Sequence, residues 1–447
     1  MTDIVESDSW VFHRDVFRYP EPPLIKTYGV DTRSIYITDT TLRDGQQGWR
    51  PLSVEEIVRI YSLLHELTGD TDIIRTSEFF LYTPKDREAF RKVKELGYAY
   101  PKPISWIRAT RSDLKLAIEA GVEETVMLTS ISDYHICYKL RLSKRQATEK
   151  YLSVIEEALR SGVSVKCSLE DITRSDLYGT VVPFVKMLMK LSEKYNIPVK
   201  IKVCDTLGIG LPYPEILPPR GIPQLIRVIR EATGMPSEWI GFHGHNDLHM
   251  VVANTLAAWL NGADGADTTL LGIGERAGNC PLEAMLLFYV QLKGRTDGLN
   301  LKALKKVKEY FLSIGYNVPE FQPILGDNAF RTKAGIHVDG LLKNPEVYLP
   351  YDPNVTLGMP ASIMVNVYSG KAGIVYWIKT MFNLDSVDDL KHDKRINELY
   401  SEVIRLYSDG RTTPISDYEM LKLVRKYMPE IIERHGHKLP HWLKRHL

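Results

Sequence analysis

Short apolar runs alternate with amphipathic stretches between residues 34 and 290. Eight of the runs have the length and the β-branched composition of buried strands. These eight runs lie at 34–38, 71–76, 103–109, 124–130, 163–169, 198–205, 239–245 and 266–273. The stretches between them carry apolar residues at helical spacing, as at 53–67, 112–121, 143–162 and 248–262. The pattern predicts an α/β protein in which strands and helices alternate.

Eight strand–helix repeats over about 250 residues match the usual length of a (β/α)8 TIM barrel. An open, doubly wound parallel sheet is the alternative, since it has the same alternation. The rhythm changes near residue 300, where irregular and turn-rich segments precede charged helices at 384–434. The sequence therefore predicts a linker and loop region, and then a small helical C-terminal domain, after the barrel. The predicted parts are an N-terminal extension (1–33), the barrel (34–300), the linker and functional loops (301–375) and the helical domain (376–447).

Composition narrows the functional classes. The chain is 44% hydrophobic and 25% charged, with a net charge of +1, so neither nucleic acid nor a membrane surface is expected as a partner. No apolar stretch approaches the length that crosses a bilayer, and the first residues do not resemble a signal peptide. The four cysteines have no CxxC spacing, which argues against disulfides or a zinc knuckle. We expect a soluble protein of the reducing cytoplasm.

Candidate chemistry lies where the predicted strands end, because TIM-barrel active sites form at the C-terminal ends of the strands. The first strand leads into Arg43 and Asp44, and the eighth leads into a loop that ends at Asn279. The seventh strand ends in His243 and His245, and residues two apart on a strand face the same way. Both imidazoles are therefore expected to face one pocket.

One carboxylate and two imidazoles at a barrel mouth form a mixed oxygen and nitrogen site for a divalent metal. Such a site leaves coordination positions for substrate oxygens, as Lewis-acid catalysis requires. The alternative is that His243 and His245 are hydrogen-bonded barrel residues without a metal. A second HGH triplet, His435 to His437, follows no predicted strand and has basic neighbours, so we predict a solvated tail there.

Five motifs together resemble the DRE-TIM metallolyases, a family of isopropylmalate, homocitrate, citramalate and re-face citrate synthases and 3-hydroxy-3-methylglutaryl-CoA lyases. They are DTTLRDGQQ (39–47), HGHND (243–247), GIGERAGN (272–279), AGIHVDGLLKNPEVY (334–348) and VNVYSGKAG (365–373). The resemblance implies a metal-dependent condensation of acetyl-CoA with a 2-oxo acid. Mn²⁺ or Mg²⁺ is the expected ion, with Co²⁺ or Zn²⁺ as alternatives.

Several roles follow from the resemblance alone. Asp44, His243 and His245 match the metal ligands, and Asn279 matches a residue beside or on the metal. Arg43 matches the arginine that polarises the 2-oxo group, a role suited to a fixed cation facing growing negative charge.

Further residues match positions around the substrates. Glu170 and Thr206 match residues near the substrates, and Gln47 matches a glutamine that lines the metal pocket. His337 and Tyr348 match residues that reach the neighbouring subunit's site, which implies a homodimer with shared active sites. A histidine has an ordinary pKa of roughly 6.5, so His337 suits the base that deprotonates acetyl-CoA.

The second predicted strand bears on the identity of the acceptor. Branched-chain synthases of the family carry an acidic residue at its end, and Arg75 occupies that place in IIRTSEFF (73–80). A guanidinium there favours a second substrate carboxylate, which Arg108 is also placed to bind. The alternative for Arg75 is an ion pair with Glu78 or another acid.

These features predict that oxaloacetate is the acceptor and citrate the product. ERAGNCPLEAM (275–285) and SGKAGIVYWI (369–378) resemble the re-face citrate synthases, whereas LRDGQQ departs from the LREGEQ usual in homocitrate synthases. The alternatives are homocitrate synthase, acting on 2-oxoglutarate, and 2-isopropylmalate synthase, acting on 2-oxoisovalerate. An iron oxygenase and a catalytically idle paralogue are less favoured hypotheses from other classes.

Overall fold

A computed structural model describes residues 12–13, 19–20, 34–344, 347–384 and 386–444. The described residues form two compact units, one of residues 34–310 and the other of the described residues from Phe311 onward with 12–13 and 19–20. The predicted N-terminal extension lies outside the described residues apart from Phe12–His13 and Tyr19–Pro20, which pair as antiparallel strands.

The first unit contains a closed barrel of eight parallel strands, in which the last strand pairs with the first. The strands are β1 (Tyr36–Asp39), β2 (Ile74–Phe79), β3 (Lys102–Arg108), β4 (Glu124–Ser130), β5 (Ser164–Glu170), β6 (Val199–Asp205), β7 (Ile240–Gly244) and β8 (Gly265–Thr268). This topology confirms the predicted (β/α)8 barrel and excludes the open sheet.

Helices follow the strands in the first unit and dominate the second. The longer helices are α1 (Val54–Thr68), α2 (Pro84–Glu95), α3 (Arg111–Glu119), α4 (Lys144–Arg160), α5 (Val182–Tyr195), α6 (Ile222–Thr233), α7 (Val251–Asn261), α8 (Leu282–Lys293), α9 (Ala303–Ser313), α10 (Gly335–Lys343), α11 (Gly370–Met381), α12 (Lys394–Ser408), α13 (Asp417–Tyr427) and α14 (Pro429–His435). Short helical segments also occur at Gln46–Gly48, Pro353–Leu357, Asp388–Lys391 and His441–Lys444.

The start of α1 illustrates how the local sequence positions these elements. The Ser53 side chain accepts a hydrogen bond from the Glu56 backbone N–H, and Glu56 accepts one from the Ser53 backbone. This reciprocal cap satisfies two backbone donors that a helix start leaves free. Ile57, Ile60 and Leu64 then bury one face of the helix.

Strand β2 begins three residues later than the sequence predicted and ends at Phe79 instead of Thr76. The polar side chains of this strand are stabilised by polar groups of the neighbouring strand. A search for apolar runs does not detect such a strand. Thr76 Oγ1 lies 3.3 Å from Thr38 Oγ1, and the Ser77 hydroxyl donates to Asp39 Oδ2 at 2.6 Å. The residue near the catalytic end of β2 is consequently Glu78, and Arg75 lies near the opposite end.

A buried hydrophobic cluster in the second unit includes residues from both predicted parts. Val338 and Ile363 belong to the same buried cluster as Val403, Leu421 and Leu443. The predicted boundary between residues 375 and 376 falls inside α11. The predicted loop region and helical domain therefore share one core, because the apolar residues before the boundary pack against the helices after it.

The segment with the second HGH triplet is folded. Helix α14 continues into a 3-10 turn at Gly436–Lys438, and Leu439 is buried in the core. The prediction of a solvated tail is therefore wrong for this segment, although His437 itself is exposed. Across the described residues, no helix has both the length and the apolar character that crossing a bilayer requires.

Candidate active site

Three side chains converge at the C-terminal end of the barrel. Asp44 Oδ2 lies 3.4 Å from His243 Nε2 and 4.0 Å from His245 Nε2. One ligand atom from each residue lies within 4.8 Å of the others, and all three residues are buried. In the described part of the chain, this is the one such group of three His, Cys, Asp or Glu side chains.

Asn279 completes the group. Its amide nitrogen donates to Asp44 Oδ2 at 3.0 Å, and Gly274 leaves room for its side chain, because a Cβ there would collide with Asn279 Oδ1. Among the described residues, Asn279 Oδ1 and His245 Nδ1 are buried without a hydrogen-bond partner. A cation would remove the deficit at Asn279 Oδ1, since it can accept an oxygen ligand, and His245 would bind it through Nε2, the nitrogen near Asp44. The side chains present therefore fit a divalent ion.

Electrostatics favour the protonation states that a metal requires. Burial, with a smaller contribution from His243, lowers the pKa of His245 to about 4. Burial opposes ionisation of Asp44, but Arg43 and the two histidines outweigh it and hold the pKa of that carboxyl below its ordinary value. Near neutral pH the site thus presents a carboxylate and a neutral His245, the forms that bind metal.

Arg43 is fixed beside this group. Its Nη1 lies 3.1 Å from Asp44 Oδ1, and its Nη2 and Nε donate to Glu78 Oε2 at 3.2 and 3.3 Å. The guanidinium carbon also lies 5.3 Å from the centre of the Trp106 ring. Burial opposes the charge, but Asp44 and Glu78 outweigh it and raise the pKa of Arg43. The site therefore holds a permanent, preorganised cation next to the candidate metal position.

Sequence reasoning missed three buried charges beneath the site, Glu78, Lys202 and Asp267. Lys202 Nζ contacts Glu78 Oε1 and lies 2.6 Å from Asp267 Oδ2. Asp267 Oδ2 in turn lies 2.8 Å from His243 Nδ1. The sequence carried a partial signal, because Lys202 is a charged residue in the middle of the largely apolar strand Val199–Asp205.

Glu170 is the last residue of β5, and three polar or charged side chains surround its carboxylate. Ser130 donates a hydroxyl hydrogen bond to it, Lys139 Nζ lies 2.7 Å from Oε2, and His135 Nδ1 lies 3.0 Å from the same oxygen. Burial opposes its ionisation, but His135 and Lys139 outweigh it and lower the pKa of Glu170 to about 2. His135 was not predicted from the sequence. Nearby, Thr206 Oγ1 accepts a hydrogen bond from the Asp171 backbone at 2.8 Å.

Arg75 does not join the site. It lies near the start of β2, where it donates to Asp72 at 2.7 Å and covers the Tyr36 ring at 3.8 Å. It lines a cavity of about 690 Å³ that includes Lys94 and Lys200 and opens at the N-terminal ends of the strands. The prediction that Arg75 binds a substrate carboxylate beside the metal is therefore wrong. The cause is the predicted end of β2, which placed Arg75 where Glu78 lies.

Two other predicted residues lie on the mouth side of the barrel. Arg108 ends β3, and its guanidinium makes two hydrogen bonds of 2.9 Å to the carboxylate of Asp113. Gln47 is exposed in the segment that follows Asp44. Their roles toward substrate stay predictions.

His337 and Tyr348 belong to the second unit. His337 lies near the start of α10, and its ring centre is 4.5 Å from that of Tyr348. Both residues are exposed, and so are the neighbouring apolar side chains of Ile336 and Val347. The two predicted aromatic residues are therefore brought together on an exposed, partly apolar surface.

In comparisons with known proteins, each of the two units contains a match to a family model. Residues 34–310 match the HMGL-like family model, and residues 324–401 match the homocitrate synthase post-HMGL domain-like model. The chain is 46% identical over 430 residues to a citrate (Re)-synthase of Clostridium kluyveri, covering 95% of each chain. It is 43% identical over 400 residues to a citrate (Re)-synthase of Syntrophus aciditrophicus, covering 89% of this chain and 63% of that protein.

A third relative and a solved structure are also similar to this chain. A 2-phosphinomethylmalate synthase of Streptomyces hygroscopicus is 38% identical over 399 residues, covering 88% of this chain and 89% of that protein. The crystal structure of hydroxymethylglutaryl-CoA lyase from Pseudomonas aeruginosa has a TM-score of 0.50 at 19% identity, covering 64% of this chain and 94% of that one. The likeness to the lyase concerns the fold.

Proposed function

Because this chain belongs to the HMGL-like family, we propose that it condenses acetyl-CoA with oxaloacetate to give citrate. Family membership also confirms the resemblance seen in the sequence motifs. The observation that carries the proposal is the 46% identity to a citrate (Re)-synthase over 95% of both chains. Because Arg75 lies outside the site, the choice of oxaloacetate as the acceptor rests on this similarity.

Asp44, His243 and His245, with Asn279 beside them, would hold one divalent ion, and Mn²⁺ or Mg²⁺ is the proposed species. The support is the convergence of one carboxylate and two imidazoles within 4.8 Å. When bound, such an ion supplies Lewis-acid polarisation of the acceptor's carbonyl group. All four cysteines are free, so we propose the cytoplasm as the compartment.

The chain's own residues would then carry the condensation. A base removes one proton from the acetyl-CoA methyl group, and the resulting enolate carbon forms the new bond to the carbonyl carbon of oxaloacetate. Arg43 stabilises the negative charge that develops on the carbonyl oxygen, since it is a buried cation whose position needs no reorganisation. Protonation of that oxygen gives the hydroxyl group, and hydrolysis of the thioester releases the coenzyme A thiol and citrate.

His337 is the proposed base, with Tyr348 beside it, and Glu170, Thr206, Gln47 and Arg108 are proposed to contact the substrates. We propose further that the chain forms a homodimer in which His337 and Tyr348 serve the partner's site. Two exposed polar aromatic residues next to the exposed apolar side chains of Ile336 and Val347 support an interface there.

The test of the function is the acceptor preference. Purified chain with Mn²⁺ and acetyl-CoA is supplied separately with oxaloacetate, 2-oxoglutarate, 2-oxoisovalerate or pyruvate, and free thiol release is measured. Reactions without an acceptor correct for simple thioester hydrolysis. We expect kcat/KM for oxaloacetate to exceed the others by at least tenfold, or about 1.4 kcal/mol. A preference for 2-oxoglutarate or 2-oxoisovalerate would replace the proposal with homocitrate or isopropylmalate synthase.

A further inference from the structure

We propose that Lys202 is a positioning residue that governs both halves of the site, the metal ligands through Asp267 and the catalytic arginine through Glu78. Lys202 touches neither a proposed metal ligand nor a proposed substrate-binding residue in this arrangement. The inference rests on the proposed function only for the role of Arg43, because the effect on metal binding is independent of the substrate.

Lys202 lies on β6 and is among the most deeply buried side chains, with 1% of its surface exposed. Its ammonium group lies 2.6 Å from Asp267 Oδ2 and contacts Glu78 Oε1, and both of these carboxylates are also buried. Burial opposes the charge, but Asp267 and Glu78 outweigh it and raise the pKa of Lys202. A buried charge with two buried counter-charges is a fixed element of the barrel interior.

The first contact leads to the metal ligands. Asp267 Oδ2, the oxygen that faces Lys202, also lies 2.8 Å from His243 Nδ1. His243 thus faces the Asp267 carboxylate with Nδ1 and Asp44 with Nε2, the latter at 3.4 Å. Carboxylates in this position behind a metal-binding histidine set its tautomer and ring orientation. Lys202 therefore fixes the group that fixes His243.

The second contact leads to Arg43. Glu78 directs Oε1 to Lys202, while its Oε2 accepts hydrogen bonds from Arg43 and from the Thr40 hydroxyl, the latter at 3.1 Å. Lys202 thus shares the negative charge of Glu78. A Glu78 that had Arg43 as its only cation would draw the guanidinium more strongly and weaken its action on a substrate oxygen.

The net charge of the pocket also affects how strongly it binds a metal ion. With neutral histidines, three carboxylates (Asp44, Glu78 and Asp267) face two cations (Arg43 and Lys202), a net charge of minus one. Loss of Lys202 makes the pocket more negative, which by itself attracts a cation more strongly. The positioning role predicts the opposite result for Mn²⁺ affinity, because Asp267 loses its partner and no longer holds His243 in place, while Glu78 draws Arg43 more strongly.

The charge effect and the positioning role thus predict opposite changes in Mn²⁺ affinity. Lys202→Met tests them directly, because it keeps the length of the side chain but removes its charge. The matched control is Lys166→Met, since Lys166 is also a buried lysine inside the barrel, 3% exposed, with its Nζ 3.7 Å from Glu124. Chelated proteins are titrated with Mn²⁺ by calorimetry, and kcat and KM are measured separately. Thermal unfolding of the metal-free proteins monitors folding.

We expect Lys202→Met to weaken Mn²⁺ binding by about 10- to 100-fold, the usual effect of losing an outer-shell partner, and to lower kcat. Lys166→Met should leave both within about twofold, a change of roughly 0.4 kcal/mol. Single variants distinguish the effects of the two Lys202 contacts. Asp267→Asn should mainly weaken Mn²⁺ binding, and Glu78→Gln should mainly lower kcat. In the Asp267→Asn background, Lys202→Met should add little further loss of Mn²⁺ affinity, because coupled residues are not additive.

Several outcomes would overturn the inference. Tighter Mn²⁺ binding by Lys202→Met would show that Lys202 acts only as a charge. Unchanged Mn²⁺ affinity and kcat with a lower unfolding temperature would show a purely structural role. If Lys202→Met does not fold, the charge-balanced Lys202→Met/Glu78→Gln protein replaces it, and unweakened Mn²⁺ binding there would also refute the inference. Failure of the condensation itself leaves the Mn²⁺ measurements interpretable.

Discussion

At the scale of single residues, the two histidines of the candidate metal centre differ in their surroundings. His243 faces Asp44 with one ring nitrogen and Asp267 with the other, at 3.4 and 2.8 Å. Its position is thus determined from both sides. Among the described residues neither Nδ1 makes a hydrogen bond, and no carboxylate lies as close to that of His245. We therefore regard His243 as the better oriented of the two imidazoles.

Removing this imidazole tests the ligand set. We predict that His243→Ala binds less than about a tenth of the Mn²⁺ held by the unaltered chain, since a three-ligand site loses one ligand and its orientation. Bound Mn²⁺ is measured by elemental analysis after dialysis. His435→Ala is the matched control, because it removes a histidine from the second HGH triplet, and it should bind one ion per chain. Equal Mn²⁺ content in the two variants would exclude the site.

Glu170 predicts a pH dependence of stability. Its folded pKa of about 2 lies below the ordinary 4.5, so its stabilising effect is complete above pH 4.5 and is lost as the pH falls toward 2. Each pKa unit corresponds to about 1.4 kcal/mol, reduced here because Lys139 is partly exposed. Glu170→Gln should therefore unfold at a lower temperature than the unaltered chain at pH 6, by on the order of 1–3 kcal/mol in stability. The gap should narrow toward pH 3, and a constant gap would contradict this assignment.

Strand parity explains why some site residues could be predicted from the sequence and others could not. Residues two apart face the same side, so the convergence of His243 and His245 follows from the motif alone. The charges below them depend on which residues meet across the barrel. Glu78 and Lys202 are 124 positions apart, and no local pattern indicates that they touch.

At the scale of elements, the register of β2 decides which residues can act on a substrate. The strand pairs Ser77 and Glu78 with Pro103 and Ile104 of β3, so the segment from Arg75 to Phe79 is extended although four consecutive members are polar or charged. Sequence patterns end a strand where apolar residues stop, whereas the barrel interior here accommodates polar pairs. The fold was predictable because it needs only the count and order of elements, but the substrate pocket needs the register.

The corrected register yields a prediction for Arg75→Ala. We expect the ratio of kcat/KM for oxaloacetate to that for 2-oxoisovalerate to stay within about twofold, or roughly 0.4 kcal/mol. Stability should fall by no more than about 1 kcal/mol, because the ion pair with Asp72 is partly exposed. Steady-state kinetics with both acids checks the ratio. A selective loss of oxaloacetate turnover would return Arg75 to the substrate site.

At the scale of the whole molecule, the barrel and the second unit carry different parts of the proposed chemistry. The metal ligands and Arg43 belong to the barrel, whereas His337 and Tyr348 belong to the second unit. The proposed homodimer with shared sites would join these parts between subunits. The sequence predicted the elements of the second unit only coarsely, because its apolar residues from Val338 to Leu443 pack over long sequence separations.

Subunit complementation tests the shared sites. We predict that His337→Ala and Arg43→Ala are each inactive and that mixing them restores up to about a quarter of the unaltered rate, because random exchange makes half of the dimers mixed and each of these has one intact site. Thiol release after exchange measures the recovery, and size-exclusion chromatography with distinguishable tags verifies the exchange. Verified exchange without recovery would place each His337 with the barrel of its own chain or outside catalysis.

The central claim is that Asp44, His243 and His245 hold the ion on which condensation depends. The most direct measurement is a titration of the chelated, unaltered chain with Mn²⁺, in which bound Mn²⁺ and the rate of thiol release with acetyl-CoA and oxaloacetate are followed in the same samples. We predict no rate without metal, a rate that rises in proportion to occupancy, and saturation at one ion per chain. A full rate in the metal-free chain, or saturated binding without any rate, would contradict the account.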